Sequence, residues 1–147
     1  MRDDYEIKLI DTNILVYAYD NSEKEKHEIA KNILAKCWRR EITYALSTQN
    51  LSELFVNVTR KIQNPVPINE IEEDIVDILS FPNFKIFIIK PHTIVKAIYI
   101  SSKFNIPYWD SLLVSIMQEN NINIIITENE SDFKKIPWLE VINPFKK

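Results

Sequence analysis

Glycine does not occur anywhere in this 147-residue chain. Its absence removes several classes of chemistry at once, because the GxGxxG dinucleotide loop, the GxxxxGK(S/T) phosphate loop and the GxSxG nucleophile elbow all depend on glycine. Turns that need a positive φ must then fall to other residues. Asparagine tolerates that region better than most and stands at Asn105 and Asn120–Asn121. Cysteine occurs once, as Cys37, which excludes an internal disulfide and a Cys-based zinc site. Beside Trp38 it reads as a small buried hydrophobe. Of the two histidines, His27 has no second nitrogen ligand near it and reads as a surface residue, and His92 reads as a helix-start residue without chemistry. No apolar run approaches the length of a membrane span. The opening Met1–Glu6 is charged and leads into a strand-like run, unlike a secretory signal. A cytoplasmic protein that does not engage membranes is the expectation. A net charge of -3 lacks the basic excess of many nucleic-acid binders, although a local basic patch suffices for binding.

What the chain does have is the composition of a soluble globular protein, 46% hydrophobic and 27% charged, at the length of one domain, 1–147. Short apolar runs alternate with segments of helical spacing. Strands are expected near Ile7–Ile10, Ile42–Leu46, Phe84–Ile89, Ile122–Thr127 and Leu139–Asn143. Between them lie helices from Thr12 to about Tyr19, from a Ser22/Glu25 capping box to about Arg39, and from a Ser47–Thr48 cap to about Lys61. Three more run from Asn69 to about Leu79 with Leu79 inward, from Pro91 to about Phe104, and from Pro107 to about Asn120. Ile94, Val95 and Ile98 are the expected core edge of the Pro91 helix. Strands alternating with helices imply an α/β fold of three layers, a central and mostly parallel sheet flanked by helices.

The chemistry gathers where strands end. Ile7–Ile10 stops abruptly on Asp11-Thr12-Asn13, and in open α/β sheets ligands bind beyond the carboxyl ends of the strands. Capping preferences alone leave Asp11 equally readable as a helix cap and as a functional acid. Ile122–Ile126 stops in the same manner on Thr127-Glu128-Asn129-Glu130-Ser131-Asp132. Two helix-borne acids join them. Glu53 lies opposite the apolar stripe Leu51, Leu54, Phe55 and Val58, which by periodicity makes it a solvated carboxylate unless that face meets a cleft. Asp110 sits in a first turn, where the helix dipole favours an acid whatever its role. Crowded carboxylates repel one another, and an all-oxygen pocket that relieves this with a cation suits Mg²⁺ or Mn²⁺ better than zinc. Arg39–Arg40, Arg60–Lys61, Lys103 and Lys134–Lys135 are scattered cations that could border such a pocket, although ordinary surface charge explains any one of them. Trp109 reads first as a core anchor and second as a surface on which a base could stack.

Taken together, Asp11-Thr12-Asn13-Ile14, Glu53, Trp109-Asp110-Ser111-Leu112-Leu113 and Thr127 to Phe133 resemble the ordered acidic motifs of PIN-domain nucleases. The VapC-type ribonuclease toxins resemble the chain most. The resemblance spans nearly its whole length. It implies a metal-dependent endoribonuclease, with Asp11, Glu53 and Asp110 binding Mg²⁺ or Mn²⁺ and Thr12, Asn13, Thr127 and Asn129 orienting ligands or phosphate. It also implies an RNA substrate, an antitoxin partner and a homodimer. The chain departs from the fullest pattern where Asn129 replaces an acid, which leaves Asp132 as the fourth catalytic carboxylate and Glu130 as a lesser choice. An RNA-processing nuclease and a PIN-like binding module with weakened catalysis are the competing expectations.

Overall fold

Leu9 and Ile10, adjacent in one strand, serve different cores, and that alternation sets the architecture. The computed structural model describes residues 6–146, so the charged segment before Glu6 lies outside the described residues. In chain order the elements are β1 (Lys8–Ile10), α1 (Thr12–Tyr17), α2 (Lys24–Trp38), β2 (Tyr44–Ser47), α3 (Thr48–Arg60) and α4 (Ile68–Ser80). They continue with β3 (Phe84–Phe87), α5 (Pro91–Phe104), α6 (Tyr108–Glu119), β4 (Ile124–Ile126), α7 (Glu130–Phe133) and β5 (Glu140–Ile142). The five strands form one sheet in the order β3-β2-β1-β4-β5, and every pairing is parallel. Ile10, Tyr44, Leu46 and Ile126 point into one core with Leu15, Leu34, Leu54 and Ile71 of α1 to α4. Leu9, Ala45 and Ile125 point into the other, with Ile100, Leu113, Met117 and Phe133 of α5 to α7. A parallel sheet covered on both faces explains why its strands read as unbroken apolar runs.

The expected elements are present, with shorter strands, and four local expectations are corrected. Ser22 does not cap α2, because its backbone N–H and hydroxyl both bond Asp20 Oδ1, and the N-cap Glu23 makes no side-chain bond. The fourth helix begins at Ile68 after Pro67 rather than after Asn69. Leu79 on that helix is 53% exposed rather than inward. On α5 the chosen face is opposite to the expected one. Thr93, Ala97 and Ile100 are buried, and Val95 and Ile98 are 68% and 57% exposed. The cause is α6. Its residues Ser111 to Met117 are all buried, so α6 takes the sheet, and α5 packs on α6 rather than on the sheet. The small Ala97 permits close approach, and Ser115 Oγ donates to the Thr93 carbonyl at 2.9 Å. Larger apolar residues of α5 are therefore left outside.

Among the described residues three take a positive φ, Arg40 at 64°, Asn105 at 55° and Asn121 at 55°. Asn105 and Asn121 fill positions that glycine would ordinarily take, Asn105 as the left-handed end of α5. A Cβ without a compensating polar group costs about 1 kcal/mol there. Asn105→Ala is expected to lower unfolding free energy by about 1 kcal/mol, and Asn105→Gly to leave it within about 0.5 kcal/mol. Urea denaturation of the two variants checks this.

Candidate active site at the switch point of the sheet

From β1 the chain builds outward to β2 and β3, then returns to add β4 and β5 on the other side. The reversal leaves a crevice at the carboxyl ends of β1 and β4, the position where open α/β sheets bind ligands. Register pairs Ile10 with Ile126, so Asp11 and Thr127 emerge side by side. The Thr127 hydroxyl donates to Asp11 Oδ2 at 2.7 Å, and the Thr12 N–H donates to Asp11 Oδ1 at 2.7 Å. Asn13 Nδ2 adds a bond to Asp11 Oδ2 at 3.2 Å. Asp11 therefore caps α1 and also faces the crevice, so the two readings of it do not compete.

Glu53 reaches the same place from α3. That helix starts from a reciprocal cap between Ser47 and Asn50, which fixes Asn50 where its Nδ2 donates to Thr12 Oγ1 at 2.9 Å. Thr12 Oγ1 in turn donates to Glu53 Oε1 at 2.7 Å, so Asn50 positions Glu53 through Thr12. In sequence Asn50 stands with Gln49 and Asn57 as an amide compatible with a cleft-facing side of this helix, and the spacing Ser47-x-x-Asn50 adds the signal of a cap. Asp110, in the first turn of α6, accepts from Asn129 Nδ2 at 3.1 Å, and the same nitrogen donates to Asp132 Oδ2 at 3.1 Å. Asn129 thus holds two carboxylates together. An open cavity of about 450 Å³ is lined by Asp11, Glu53, Asp110, Asn13, Gln49 and Asn129, among others. Asp132 stands behind Asn129 rather than on that wall. Glu130 faces elsewhere, bonded to Asn143, Lys134 and Lys146, which hold its carboxyl well below the usual range.

The loop carrying Thr127 and Asn129 is fastened from behind. Tyr17 Oη donates to Glu128 Oε1 at 2.6 Å, Lys26 pairs with Glu128 Oε2, and the Tyr17 ring meets Phe145 edge-on at 5.1 Å. These contacts, with those of Lys146 and Asn143 to Glu130, clasp the C-terminal segment to the site loop.

Burial raises the Asp11 pKa above the usual carboxylate value, although its hydrogen bonds oppose this. Asp110 is pushed up to about 7, first by burial and then by the nearby charges of Asp11, Asp132 and Glu53. Among the described residues no Lys or Arg lines the cavity. Of the cations expected at its border, Arg39 pairs with Glu41 and Lys134 with Glu130, Arg40 covers the Phe81 ring, and Lys135 pairs with Asp132 behind Asn129. Trp109, expected first as a core anchor, is 62% exposed and lines the cavity. Among the described residues no group of three acidic, histidine or cysteine side chains closes on one point as it stands. The donor set still fits a hard divalent cation. It is all oxygen, and its crowded negative charge adds to the burial that raises Asp110.

A parallel α/β sheet whose strand ends and adjoining helices surround an acidic crevice places the protein among folds that work from a switch point. The model of the PIN domain matches residues 8–139, and the chain belongs to the PIN-domain family. No curated protein matches it in sequence. Among solved structures, it is similar to a toxin–antitoxin complex from Klebsiella pneumoniae (TM-score 0.64, 21% identity, 95% of this chain and 99% of the other). It is similar also to VapBC2 from Rickettsia felis bound to a promoter DNA fragment (TM-score 0.64, 22% identity, 93% and 98%). A third is Mycobacterium tuberculosis VapC20, a sarcin–ricin loop cleaving toxin (TM-score 0.70, 15% identity, 92% and 98%). At these identities the likeness is one of fold.

The Asp110 proton links the site to stability. In the cation-free protein Asp110 keeps its proton to about pH 7, whereas its ordinary value is 3.8. Between these values the folded chain binds more protons than the unfolded one, so this stabilisation is complete below the lower value and lost as pH rises through the higher. In a chelator, the melting temperature of Asp110→Asn is expected to fall less than that of wild type between about pH 4 and about pH 7. Parallel thermal melts check this, and identical slopes would remove Asp110 as the cause.

Proposed function

We propose that the protein is an endoribonuclease dependent on Mg²⁺ or Mn²⁺ and the toxin of a toxin–antitoxin pair. The observation that carries this reading is one cavity lined by Asp11, Glu53 and Asp110 with no basic side chain among its described lining residues. Such a wall repels a phosphodiester until a cation sits on it. The three carboxylates are the residues that would hold the ion. When bound, the ion supplies Lewis-acid activation of water and charge for the phosphate oxygens. Thr127 and Asn13 orient Asp11, and Thr12 orients Glu53. Asn129 donates to both Asp110 and Asp132 and partly offsets their repulsion, and Asp132 acts through that bridge rather than on the ion. Similarity to toxin–antitoxin structures supports the toxin assignment over RNA processing. An amide in place of a fourth acid is the observation that favours a binding module with weakened catalysis, and the test below separates the two.

Two apolar surfaces support the proposed partners. A groove of about 500 Å³ between α3 and α4, lined by Leu51, Phe55, Val56, Ile75 and Leu79, suits an antitoxin segment. The exposed face of α5, with Ile94, Val95, Ile98 and Tyr99, suits a second copy of the chain. No helix of the described residues is long and apolar enough to cross a membrane, and we place the activity in the cytoplasm.

Calorimetric titration of Mn²⁺ into the wild type is expected to show binding that Asp11→Asn abolishes. Asn50→Ala, which removes the donor to Thr12 and with it half of the α3 cap, is expected to weaken binding by about 10- to 100-fold, and a parallel thermal melt separates this from loss of the fold. Cleavage of a structured RNA panel is expected to need the ion and to be lost in Asp110→Asn. Ion binding without any cleavage would favour the module, and no binding by the wild type would overturn the proposal.

A further inference from the structure

Trp109 is a large aromatic residue whose neighbours on α6 are drawn inward. Ser111 to Met117 are all buried, yet Trp109 is 62% exposed on the rim of the acidic cavity. Tyr108 supports it, with ring centroids 5.4 Å apart and planes at 68°, an edge-to-face contact. In this geometry one ring braces the other without covering both faces of the indole. The cavity offers no basic side chain among its described lining residues, so lysine contacts to phosphate come from beyond its wall, where Lys26 pairs with Glu128 and Lys135 with Asp132. The uncharged polar groups beside the carboxylates are the amides Asn13, Gln49, Asn57 and Asn129 and the hydroxyls of Thr12 and Tyr17. What the rim does offer a nucleotide is a flat π surface next to the acids.

We infer that Trp109 is the stacking platform for one unpaired base of the RNA, seated next to the carboxylates that hold the scissile phosphate's cation. The inference rests on the nuclease reading and names, within it, the residue that grips the substrate beside the scissile phosphate. Bases within a helix have both faces occupied by their neighbours, so only an unstacked base can meet the indole. Stacking depends little on base identity, so Trp109 selects for strand state more than for sequence. The bound cation supplies the charge that the cavity lacks, and Trp109 supplies the grip.

The test compares wild type, Trp109→Phe and Trp109→Ala with a short single-stranded oligoribonucleotide and its blunt duplex. Calcium serves as the cation to slow cleavage, and Mn²⁺ affinity is measured separately by calorimetry. Trp109→Ala is expected to lose about 10-fold or more in single-strand affinity, with Trp109→Phe within a few-fold of wild type. Both variants are expected to keep wild-type Mn²⁺ affinity, and the single strand is expected to quench tryptophan fluorescence in the wild type more than in Trp109→Ala. Equal single-strand affinity in Trp109→Ala and wild type would overturn the inference while leaving the nuclease reading intact. A wild type that binds neither Mn²⁺ nor RNA would overturn both readings.

Discussion

The site depends on one hydrogen bond, from the Thr127 hydroxyl to Asp11 Oδ2. It joins residues 116 positions apart, and it forms because parallel pairing sets Ile10 against Ile126. The carboxylate lies almost wholly out of water, and its desolvation is offset by Thr127, Thr12 and Asn13 as donors. Asn13 in turn accepts from the Glu128 N–H, and Thr127 accepts from the Asn129 N–H. The strand ends are therefore locked before either helix-borne acid is considered. Glu53 and Asp110 are then added from opposite faces of the sheet, α3 on one and α6 on the other.

Each acid is held by an uncharged donor rather than by a cation. Thr12 serves Glu53, Thr127 serves Asp11 and Asn129 serves Asp110. A neutral donor orients a carboxylate but leaves its charge uncompensated, so at Asp110 the neighbouring acids add to burial in raising the pKa above that of an ordinary aspartate. A lysine in any of those places would have satisfied the site internally. The arrangement instead keeps a deficit of positive charge confined to one cavity.

The sequence showed most clearly what is local. Strand ends at Asp11 and Thr127, the Ser47 cap of α3, and the left-handed turns at Asn105 and Asn121 follow from residue type and nearest neighbours, and all are present. Arg40 escaped notice because nothing about arginine signals a positive φ. The faces of α5 and the position of Trp109 were misjudged for a different reason. Periodicity tells which side of a helix is apolar, not which side a neighbouring helix will leave free to pack. Burial of α6 on nearly every side decided both, since it turned Thr93 and Ala97 inward and left Trp109 at the rim. The cluster of Tyr17, Lys26 and Glu128 joins positions with no local pattern to betray them.

The clasp on the C-terminal segment has a consequence for motion. Chain ends ordinarily open first and most often, independently of the interior. Here the end is tied through Phe145 to Tyr17, and through Lys146 and Asn143 to Glu130, at the foot of the loop that carries Thr127 and Asn129. Each tie is weak in water on its own. Acting together they couple residues 143–146 to the site loop, so that loosening one strains the contacts of the other. The site's rigidity is thus governed partly from a segment that never touches the cavity.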